Sequence, residues 1–426
     1  MSASLLAEIE KGTKNALVKK RIIAFHMEHG AATITDLTKV LGLSVPTVSK
    51  LVDELTETGL IIGGGKLETN GGRNPSLYRL NPVSCYFVGV DIKKNAVSLG
   101  LMDFGGGIVD KRLNVPYDFD NNMASLERLC EIINSFLDAQ SVPRSQILNM
   151  NVNISGRVNP VSGYSYSLFN FDEKPLSDVL SEKTGVRVCI ENDTRAMTYG
   201  EYAYGENGNV MNMLFVNLSW GLGLGAIIDG NICTGKSGFA GELGHMVTYD
   251  NEVICHCGKK GCLETEASGS ALVRKLTARL DEGANSIIAD RYLSSGSITL
   301  DDVLEAIERE DLLCIELVEE VGRELGRWLA GLINIFNPEK VVIGGMLSST
   351  GDYILQPIRM AVRRYSLNLV NKDTKIVLSE FGERAGLIGA CFIARRRAFD
   401  DYLENAAFSS KYLASTDARH TRRNNI

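Results

Sequence analysis

Apolar positions repeat with a helical period along the start of the chain and predict three short helices. Val18, Ile22 and Phe25 share one face of a helix that stops near His29-Gly30. A second helix is predicted over about residues 35–41, where Gly42 ends it. The apolar face of the second helix consists of Leu37, Val40 and Leu41, and that of the third consists of Val48, Leu51, Val52 and Leu55. The pattern predicts a compact helical head.

The third helix begins with short and basic side chains on its polar face. Ser44 is a good N-cap residue, and proline suits the first helical turn. The following stretch "LIIGGGKLETNGGRNPSLYRL" predicts strand, glycine-rich turn and strand, with Lys66 and Arg73 at the tip. This order is typical of a winged helix-turn-helix domain. The candidate DNA-binding residues are Pro46, Thr47, Ser49, Lys50, Lys66 and Arg73.

We therefore predict that residues 1–80 bind operator DNA. The alternative is a three-helix bundle whose hairpin binds another protein. Because a single small head gives little sequence specificity, we expect a homodimer or homotetramer on a two-fold operator.

Residues 85–400 alternate strand-like and helical apolar runs, which predicts an α/β body. Two segments, "YFVGVDIKKNAVSLGLMDFGGGIV" and "MLFVNLSWGLGLGAIIDGNI", each predict strand, turn and strand. Since they start the two halves of the body, we expect two related lobes with a small-molecule cleft between them. Residues 401–426 are treated as a separate C-terminal tail.

Composition fits a globular protein without membrane partners. Of the 426 residues, 44% are hydrophobic and 23% are charged, and no apolar run is long enough to span a bilayer. The N-terminus does not resemble a signal peptide, so we expect a cytoplasmic protein. Residues 1–80 carry 10 Lys+Arg against 8 Asp+Glu, and the remainder carries 35 against 44. The run Arg395–Arg397 could mimic a nucleic-acid patch, but we expect it to be the solvated face of the last helix.

A cysteine-rich knuckle is the clearest chemical signal. Cys255, Cys257 and Cys262 lie close together in "CHCGKKGC", with glycines that let the chain fold tightly. Three thiolates and one imidazole form a closed tetrahedral zinc set. His245 is the best fourth ligand, because His256 lies awkwardly between two thiolates. The sequence predicts a structural Zn²⁺ site, and the alternative is three buried or redox-active cysteines.

Carboxylates and an amide occur on both sides of this knuckle. Glu242 precedes His245, Glu264 follows Cys262, and Asn192-Asp193 ends an apolar strand and starts a helix. Such groups suit a polyhydroxylated ligand, since each hydroxyl needs a donor and an acceptor. The alternative for each acid is a solvated or helix-capping role.

Together these motifs resemble the ROK family (repressors, open reading frames and sugar kinases) over residues 15–395. The resemblance rests on "LSWGLGLGAIIDGNICTGKSGFAGELGH", "CHCGKKGCLE", "ENDTRAMTYGE" and "NIFNPEKVVIGG". It implies an actin-like α/β fold of the sugar-kinase type, with two lobes. It also implies sugar contacts from Asn170, Asn192, Asp193, Glu242, His245 and Glu264. In family kinases, Asp193 would be the general base, and His245 would bind zinc with one nitrogen and sugar with the other.

The motifs that bind phosphate in family kinases depart from the pattern here. Lys93, Lys94 and Asn95 replace Gly-Gly-Thr in the first hairpin turn, and we expect Leu222 to fill the phosphate position of the second loop. Arg195 stands where kinases often have asparagine. We therefore expect no catalysis.

The resulting prediction is a sugar-responsive transcriptional repressor that a sugar releases from its operator. The alternatives are an active ATP-dependent sugar kinase with a regulatory head, and a regulator that senses a protein partner.

Overall fold

A computed structural model of the chain describes residues 13–67, 74–171, 173–205 and 210–400. The chain divides into two compact units. The first consists of Met1–Val152, Phe171–Cys189 and Ala390–Ile426, and the second consists of Asn153–Asn170 and Ile190–Gly389. The predicted tail, residues 401–426, lies outside the described residues.

The N-terminal head has the three predicted helices and a small sheet. Its helices are Lys14–His29 (α1), Ile34–Leu41 (α2) and Val45–Glu57 (α3). Its strands are Ala32–Thr33 (β1), Ile61–Lys66 (β2) and Ser76–Leu80 (β3), in the order β1-β3-β2. The predicted signals act locally: Gly42 ends α2 with a φ of 67°, and Ser44 caps α3 by accepting from the Thr47 N–H. The four predicted apolar residues of α3 are all buried.

The next part of the chain builds a five-stranded sheet. Its strands are Tyr86–Ile92 (β4), Ala96–Asp103 (β5), Ile108–Pro116 (β6), Ile147–Ile154 (β7) and Val188–Asn192 (β10), and their order in the sheet is β10-β7-β4-β5-β6. A short hairpin, Val158–Asn159 (β8) with Tyr164–Ser165 (β9), follows β7. Two helices, Met123–Asp138 (α4) and Leu176–Thr184 (α5), lie between these strands in sequence. The strand-turn-strand prediction for β4 and β5 is confirmed.

The second unit contains another five-stranded sheet. Its strands are Met213–Leu218 (β11), Leu222–Ile228 (β12), Asn231–Ile232 (β13), Lys340–Gly344 (β14) and Lys375–Leu378 (β15), and their order in the sheet is β13-β12-β11-β14-β15. The helices from here onward are Asp193–Tyr204 (α6), Gly269–Asp281 (α7), Ala289–Ser295 (α8), Leu300–Glu308 (α9), Leu312–Phe336 (α10), Asp352–Tyr365 (α11), Asn368–Asp373 (α12) and Ala385–Asp400 (α13). β11 pairs antiparallel with β12 and parallel with β14.

Each unit has its own hydrophobic core. In the second unit the core joins β11, β12 and β14 to helices α7, α9, α10 and α11. In the first unit, the head shares a core with Phe87, Phe104 and Phe399. The rings of Phe104 and Phe399 are stacked, with their centroids 5.4 Å apart. The end of α13 therefore packs with the head. Among the helices within the described ranges, none has the length and apolar character needed to cross a bilayer.

Arg395 corrects one sequence prediction. Its side chain is 5% exposed, so the expectation that Arg395–Arg397 form a solvated face is wrong for this residue. One guanidinium nitrogen donates to the carbonyl of Met27 at 3.3 Å and another donates to that of Phe104 at 3.4 Å. The guanidinium also stacks over the ring of Phe392. These contacts satisfy part of the buried guanidinium and so reduce the cost of burying its charge.

Candidate functional site

The polar cluster around Asp193 forms where β10 ends and α6 begins. Asn192 is the N-cap of α6, since its side chain accepts from the Arg195 N–H, and Asp193 is the first helical residue. The amide of Asn192 donates to Asp193 Oδ1 at 3.0 Å and to the carbonyl of Gly156, also at 3.0 Å. The capping role considered for Asp193 therefore belongs to Asn192, which leaves the carboxylate of Asp193 directed at other partners.

Ser155 is a member of this cluster that the sequence did not reveal. Its hydroxyl donates to Asp193 Oδ2 at 2.6 Å. The pKa of Asp193 is raised above its usual value, because the effect of burial exceeds the lowering by the hydrogen bonds from Ser155 and from the Thr194 N–H. Its carboxylate is thus a partly desolvated acceptor held by short hydrogen bonds. The only sequence signal for Ser155 was its place directly after the buried strand β7.

The glycine-rich segment beside Asp193 is part of a paired strand. Gly221, Gly223 and Gly225 alternate with Leu222 and Leu224, so they share one face of the chain. A Cβ on Gly223 would clash with Thr194, a Cβ on Gly225 would clash with Thr198, and a Cβ on Gly221 would lie 2.8 Å from Glu264 Oε2. The absence of side chains on this face thus lets α6 and Glu264 lie directly against the strand.

The opposite face of this segment belongs to the core. Leu222 is 6% exposed and packs in the hydrophobic cluster of the second unit. The expectation that Leu222 fills a phosphate position is therefore wrong, because its side chain points into the core. The exposed side chain of the β11–β12 turn is Trp220.

Arg195 connects the loops near Asp193. Its side chain is 3% exposed and pairs with the buried carboxylate of Glu191 at 2.6 Å. It also donates to the carbonyl of Gly238 at 2.6 Å and to that of Val158 at 3.1 Å. A single guanidinium thus fixes the start of α6, the β8 strand and the loop that leads to Glu242.

The predicted metal ligands come together. One ligand atom from each of His245, Cys255, Cys257 and Cys262 lies within 4.8 Å of all the others. The distance from Cys257 Sγ to Cys262 Sγ is 3.7 Å, and that from Cys255 Sγ to His245 Nδ1 is 3.6 Å. In a tetrahedral zinc site, Zn–S bonds of about 2.3 Å and a Zn–N bond of about 2.0 Å give S–S and S–N distances of about 3.8 and 3.6 Å. The cluster is therefore compatible with structural zinc.

Two acids adjoin this cluster. Glu242 Oε2 lies 3.7 Å from His245 Nε2, so the nitrogen of His245 that faces away from Cys255 faces Glu242. Glu264 is buried: its Oε2 accepts from the Leu222 N–H at 2.9 Å, and its Oε1 lies 2.8 Å from His256 Nδ1. His245, His256 and Glu264 also have ligand atoms within 4.8 Å of one another. Glu264 thus connects the knuckle to β12.

Asn170 is less well connected than the other predicted sugar contacts. Its side chain is exposed after the β8–β9 hairpin, and it makes no hydrogen bond within the described part of the chain. The remaining five predicted contacts lie in two groups, Asn192 with Asp193 and Glu242 with His245 and Glu264. Both groups adjoin the same glycine face, through Thr194 at Gly223 and through Glu264 at Gly221.

The head presents the predicted polar face on α3. Pro46, Thr47 and Lys50 are exposed at its N-terminal end, and Ser49 is half-buried. Further along α3, Lys19 of α1 pairs with Glu54 at 2.9 Å. This ion pair and the buried apolar stripe hold α3 so that its N-terminal turns face solvent.

The wing is partly described. Lys66 is exposed at the end of β2, and Arg73 lies outside the described residues. Arg79 on β3 is a further exposed basic residue of the wing that sequence reasoning missed. The neighbouring polar and apolar residues at the end of β3 indicated this exposure, since Leu80 is buried and Arg79 is not.

Comparison with known proteins gives relatives of two kinds. A xylose repressor from Caldicellulosiruptor bescii is 30% identical over 94% of this chain and 99% of its own length. A glucokinase from Halalkalibacterium halodurans is 31% identical, but it covers 73% of this chain and 96% of its own length. Among solved structures, a ROK family transcriptional regulator, a homologue of the E. coli MLC protein, superimposes with a TM-score of 0.75 at 27% identity, covering 90% of this chain and 96% of that one.

Family models agree with both parts of the fold. A model of winged helix-turn-helix DNA-binding domains matches residues 18–62, which span α1 to α3. The ROK family model matches residues 87–397, which include the Asp193 cluster, β12 and the cysteine knuckle. With most of its length matched in this way, the chain belongs to the ROK family and carries a winged helix-turn-helix head.

Proposed function

We propose that this chain is a sugar-responsive transcriptional repressor. Residues 1–80 form the operator-binding head, residues 85–400 form the sugar-binding body, and a bound sugar releases the protein from DNA. The observation that carries this proposal is the combination of head and body in one chain. The xylose repressor aligns over 94% of this chain, which is too much for the body alone, whereas the glucokinase aligns over 73%. A regulator of operator DNA works beside the DNA, so the cytoplasm remains the predicted location.

The sugar contacts in this proposal are the two groups beside β12, together with Asn170. Asp193, Glu242 and Glu264 supply acceptors for sugar hydroxyls, and the amide of Asn170 supplies donors and an acceptor. Asn192 supplies its amide oxygen as an acceptor, because both of its N–H groups donate to Gly156 and Asp193. A carboxylate offers about four lone-pair sites, so the internal hydrogen bonds of Asp193 and Glu264 leave room for a ligand. The partly desolvated carboxylate of Asp193 suits an acceptor that must be held rigid.

The knuckle holds a structural Zn²⁺ in this proposal. His245, Cys255, Cys257 and Cys262 fill all four positions, so the ion supplies cross-linking and no open site for hydrolysis. Zinc at Nδ1 of His245 fixes the imidazole so that Nε2 stays directed toward Glu242 and the ligand. The ion would thereby hold His245 in the orientation that contacts the sugar.

We also propose that the chain has no kinase activity. The first hairpin turn has Lys93, Lys94 and Asn95 where a close backbone approach to phosphate favours glycine. In the second segment, Thr194, Thr198 and Glu264 fill the space beside the glycines, where a phosphate would have to approach. The base-equivalent Asp193 would then serve as a sugar acceptor only.

A dimer on a two-fold operator completes the proposal, with a homotetramer as the larger assembly. A sugar needs only to bind one of two pre-existing states more tightly in order to shift operator occupancy.

Two measurements test the function. Thermal shift with mono- and amino-sugars, with ATP in separate wells, should show a shift with a sugar and none with ATP, since a ligand stabilises the folded state by mass action. DNA selected from a random pool by the full chain should be released by the same sugar in a fluorescence anisotropy titration. Turnover of sugar and ATP at ordinary enzyme rates, of about 1 s⁻¹ or faster, would replace the proposal with the kinase alternative.

A further inference from the structure

A pocket lies beside the cysteine knuckle in the second unit, on the side of Glu264. Its volume is about 270 Å³, and its walls come from the β11–β12 turn, the knuckle and the first turns of α7. The residues that matter for its chemistry are Trp220, Ile254, His256, Glu264, Ser270 and Arg274. None of the proposed roles above uses Trp220 or Arg274.

The walls of this pocket are fixed by the backbone. The Ser270 N–H donates to the carbonyl of Trp220 at 2.9 Å, and the Gly269 N–H donates to that of Ser219 at 2.8 Å. Arg274 donates to the carbonyl of Thr265 at 2.7 Å. The turn that carries Trp220 is thus attached to the start of α7, and these hydrogen bonds hold two walls of the pocket together.

The pocket continues from the proposed sugar contacts. Glu264 lines it, and His256, which lines it too, lies 2.8 Å from Glu264 Oε1. The ligand atoms of His245, His256 and Glu264 all lie within 4.8 Å of one another. A molecule bound at His245 and Glu264 would therefore have this pocket next to it.

Size and chemistry restrict what the pocket can hold. Small-molecule sites begin at about 300 Å³, so this volume suits one ring-sized group and is small for a nucleotide. The indole of Trp220 is 54% exposed and Ile254 is exposed, which gives an apolar surface beside a few polar groups. A pyranose has an apolar C–H face that packs on an indole and hydroxyls that bind polar neighbours. The carboxylate of Glu264 disfavours phosphate, and the guanidinium of Arg274 is already paired with Glu266 at 3.3 Å.

From this juxtaposition of Trp220 and Glu264 we infer that the pocket takes a ring attached to the sugar through its glycosidic bond. The effector is then a disaccharide or another glycoside, bound more tightly than the free monosaccharide. This inference rests on the proposed function, since it extends the same sugar site.

Isothermal titration calorimetry on the full chain tests the inference. The probes are glucose, xylose and N-acetylglucosamine, each as the free sugar, as the phenyl glycoside of both anomers and as the 1,4-linked disaccharides. In at least one series the substituted sugar should bind about tenfold more tightly than its parent, the gain expected of one aromatic contact. The disaccharide and phenyl arms then show whether the pocket prefers a second sugar ring or an apolar aglycone.

Trp220→Ala should remove most of that gain and leave the affinity for the parent sugar within about twofold. Ile254→Ala, which also truncates an exposed wall residue, should have the same effect more weakly. Phe336→Ala is the matched control, because Phe336 is an exposed aromatic residue at the end of α10 and does not line the pocket.

Equal binding of parent and substituted sugars in every series would overturn the inference and leave the proposed function intact. So would a Trp220→Ala variant that weakens the parent sugar as much as the glycoside. Adenosine is titrated as a further probe, and adenosine binding that Trp220→Ala abolishes would overturn the inference and assign the pocket to a nucleobase. If none of the carbohydrates bound, the proposed function would fail, and the inference with it.

Discussion

The guanidinium of Arg195 lies 2.6 Å from the carboxylate of Glu191, and both side chains are almost fully buried. Because Arg195 also donates to two backbone carbonyls, from Val158 and Gly238, it fixes three segments around Asp193. Arg195→Ala should lower the free energy of unfolding by about 3–5 kcal/mol, since it leaves the charge of Glu191 buried and unpaired. Urea denaturation of the full chain measures this loss.

Arg309→Ala is the control for that variant. Glu305 of α9 and Arg309, which directly follows this helix, form an exposed pair at 3.9 Å, and exposed pairs at this spacing contribute about 0.5 kcal/mol at most. If both substitutions had the same small effect, the buried pair would not be holding the loops. Arg195→Lys keeps the charge but cannot reach all three acceptors, so it should restore only part of the stability.

The cysteine knuckle predicts a dependence on metal. Cys257→Ser should reduce bound zinc from about one ion per chain to a small fraction of that, because one of four ligands is lost. It should also lower Tm and weaken sugar binding through His245. Mass spectrometric metal analysis of purified protein gives the stoichiometry, and differential scanning calorimetry gives Tm. Cys233→Ser alters an exposed cysteine elsewhere and should retain the metal. Full zinc content in Cys257→Ser would contradict the four-ligand assignment.

Gly223 permits the close approach of Thr194, the residue that follows Asp193. Gly223→Ala should therefore destabilise the fold by about 1–3 kcal/mol through overpacking and displace the start of α6. Sugar affinity, measured by calorimetry, should fall with it. Combining Gly223→Ala with Thr194→Ala removes the clashing hydroxyl and should restore part of both properties.

Gly331→Ala tests whether any glycine substitution has this effect. A Cβ on Gly331, within α10, would meet no atom within 4 Å, so alanine should be neutral or stabilise by up to about 1 kcal/mol. A Gly223→Ala variant as stable as this control would show that the glycine segment is not a packing surface.

The head was predictable from sequence because its signals are local. The Ser44 cap, the terminating Gly42 and the apolar stripe of α3 each act within a few residues, and the structure has all three. The knuckle was predictable for a similar reason, since Cys255, Cys257 and Cys262 are close in sequence and bring His245 with them.

Features that depend on distant partners were not predictable. Ser155 reaches Asp193 across 38 residues, and Arg395 is buried because Met27 and Phe104 supply carbonyls from far away in the chain. The glycine segment was misread for the same reason. Its pattern suits a phosphate loop or a tightly packed strand, and only the position of α6 distinguishes them.

Lys50 and Asp193 should separate DNA binding from sugar sensing. Lys50 is exposed on α3 and pairs only at 3.9 Å with Glu54, so its charge is available to a phosphate. Lys50→Ala should weaken operator binding and leave sugar affinity unchanged. The slope of the logarithm of operator affinity against the logarithm of salt concentration should become smaller by about 1. Asp193→Ala should abolish the release by sugar and leave operator affinity intact. Lys372→Ala, an exposed lysine of the second unit, serves as the charge control and should change neither. Anisotropy titrations at several salt concentrations, with and without sugar, measure both properties, and a shared phenotype for Lys50→Ala and Asp193→Ala would contradict this division of roles.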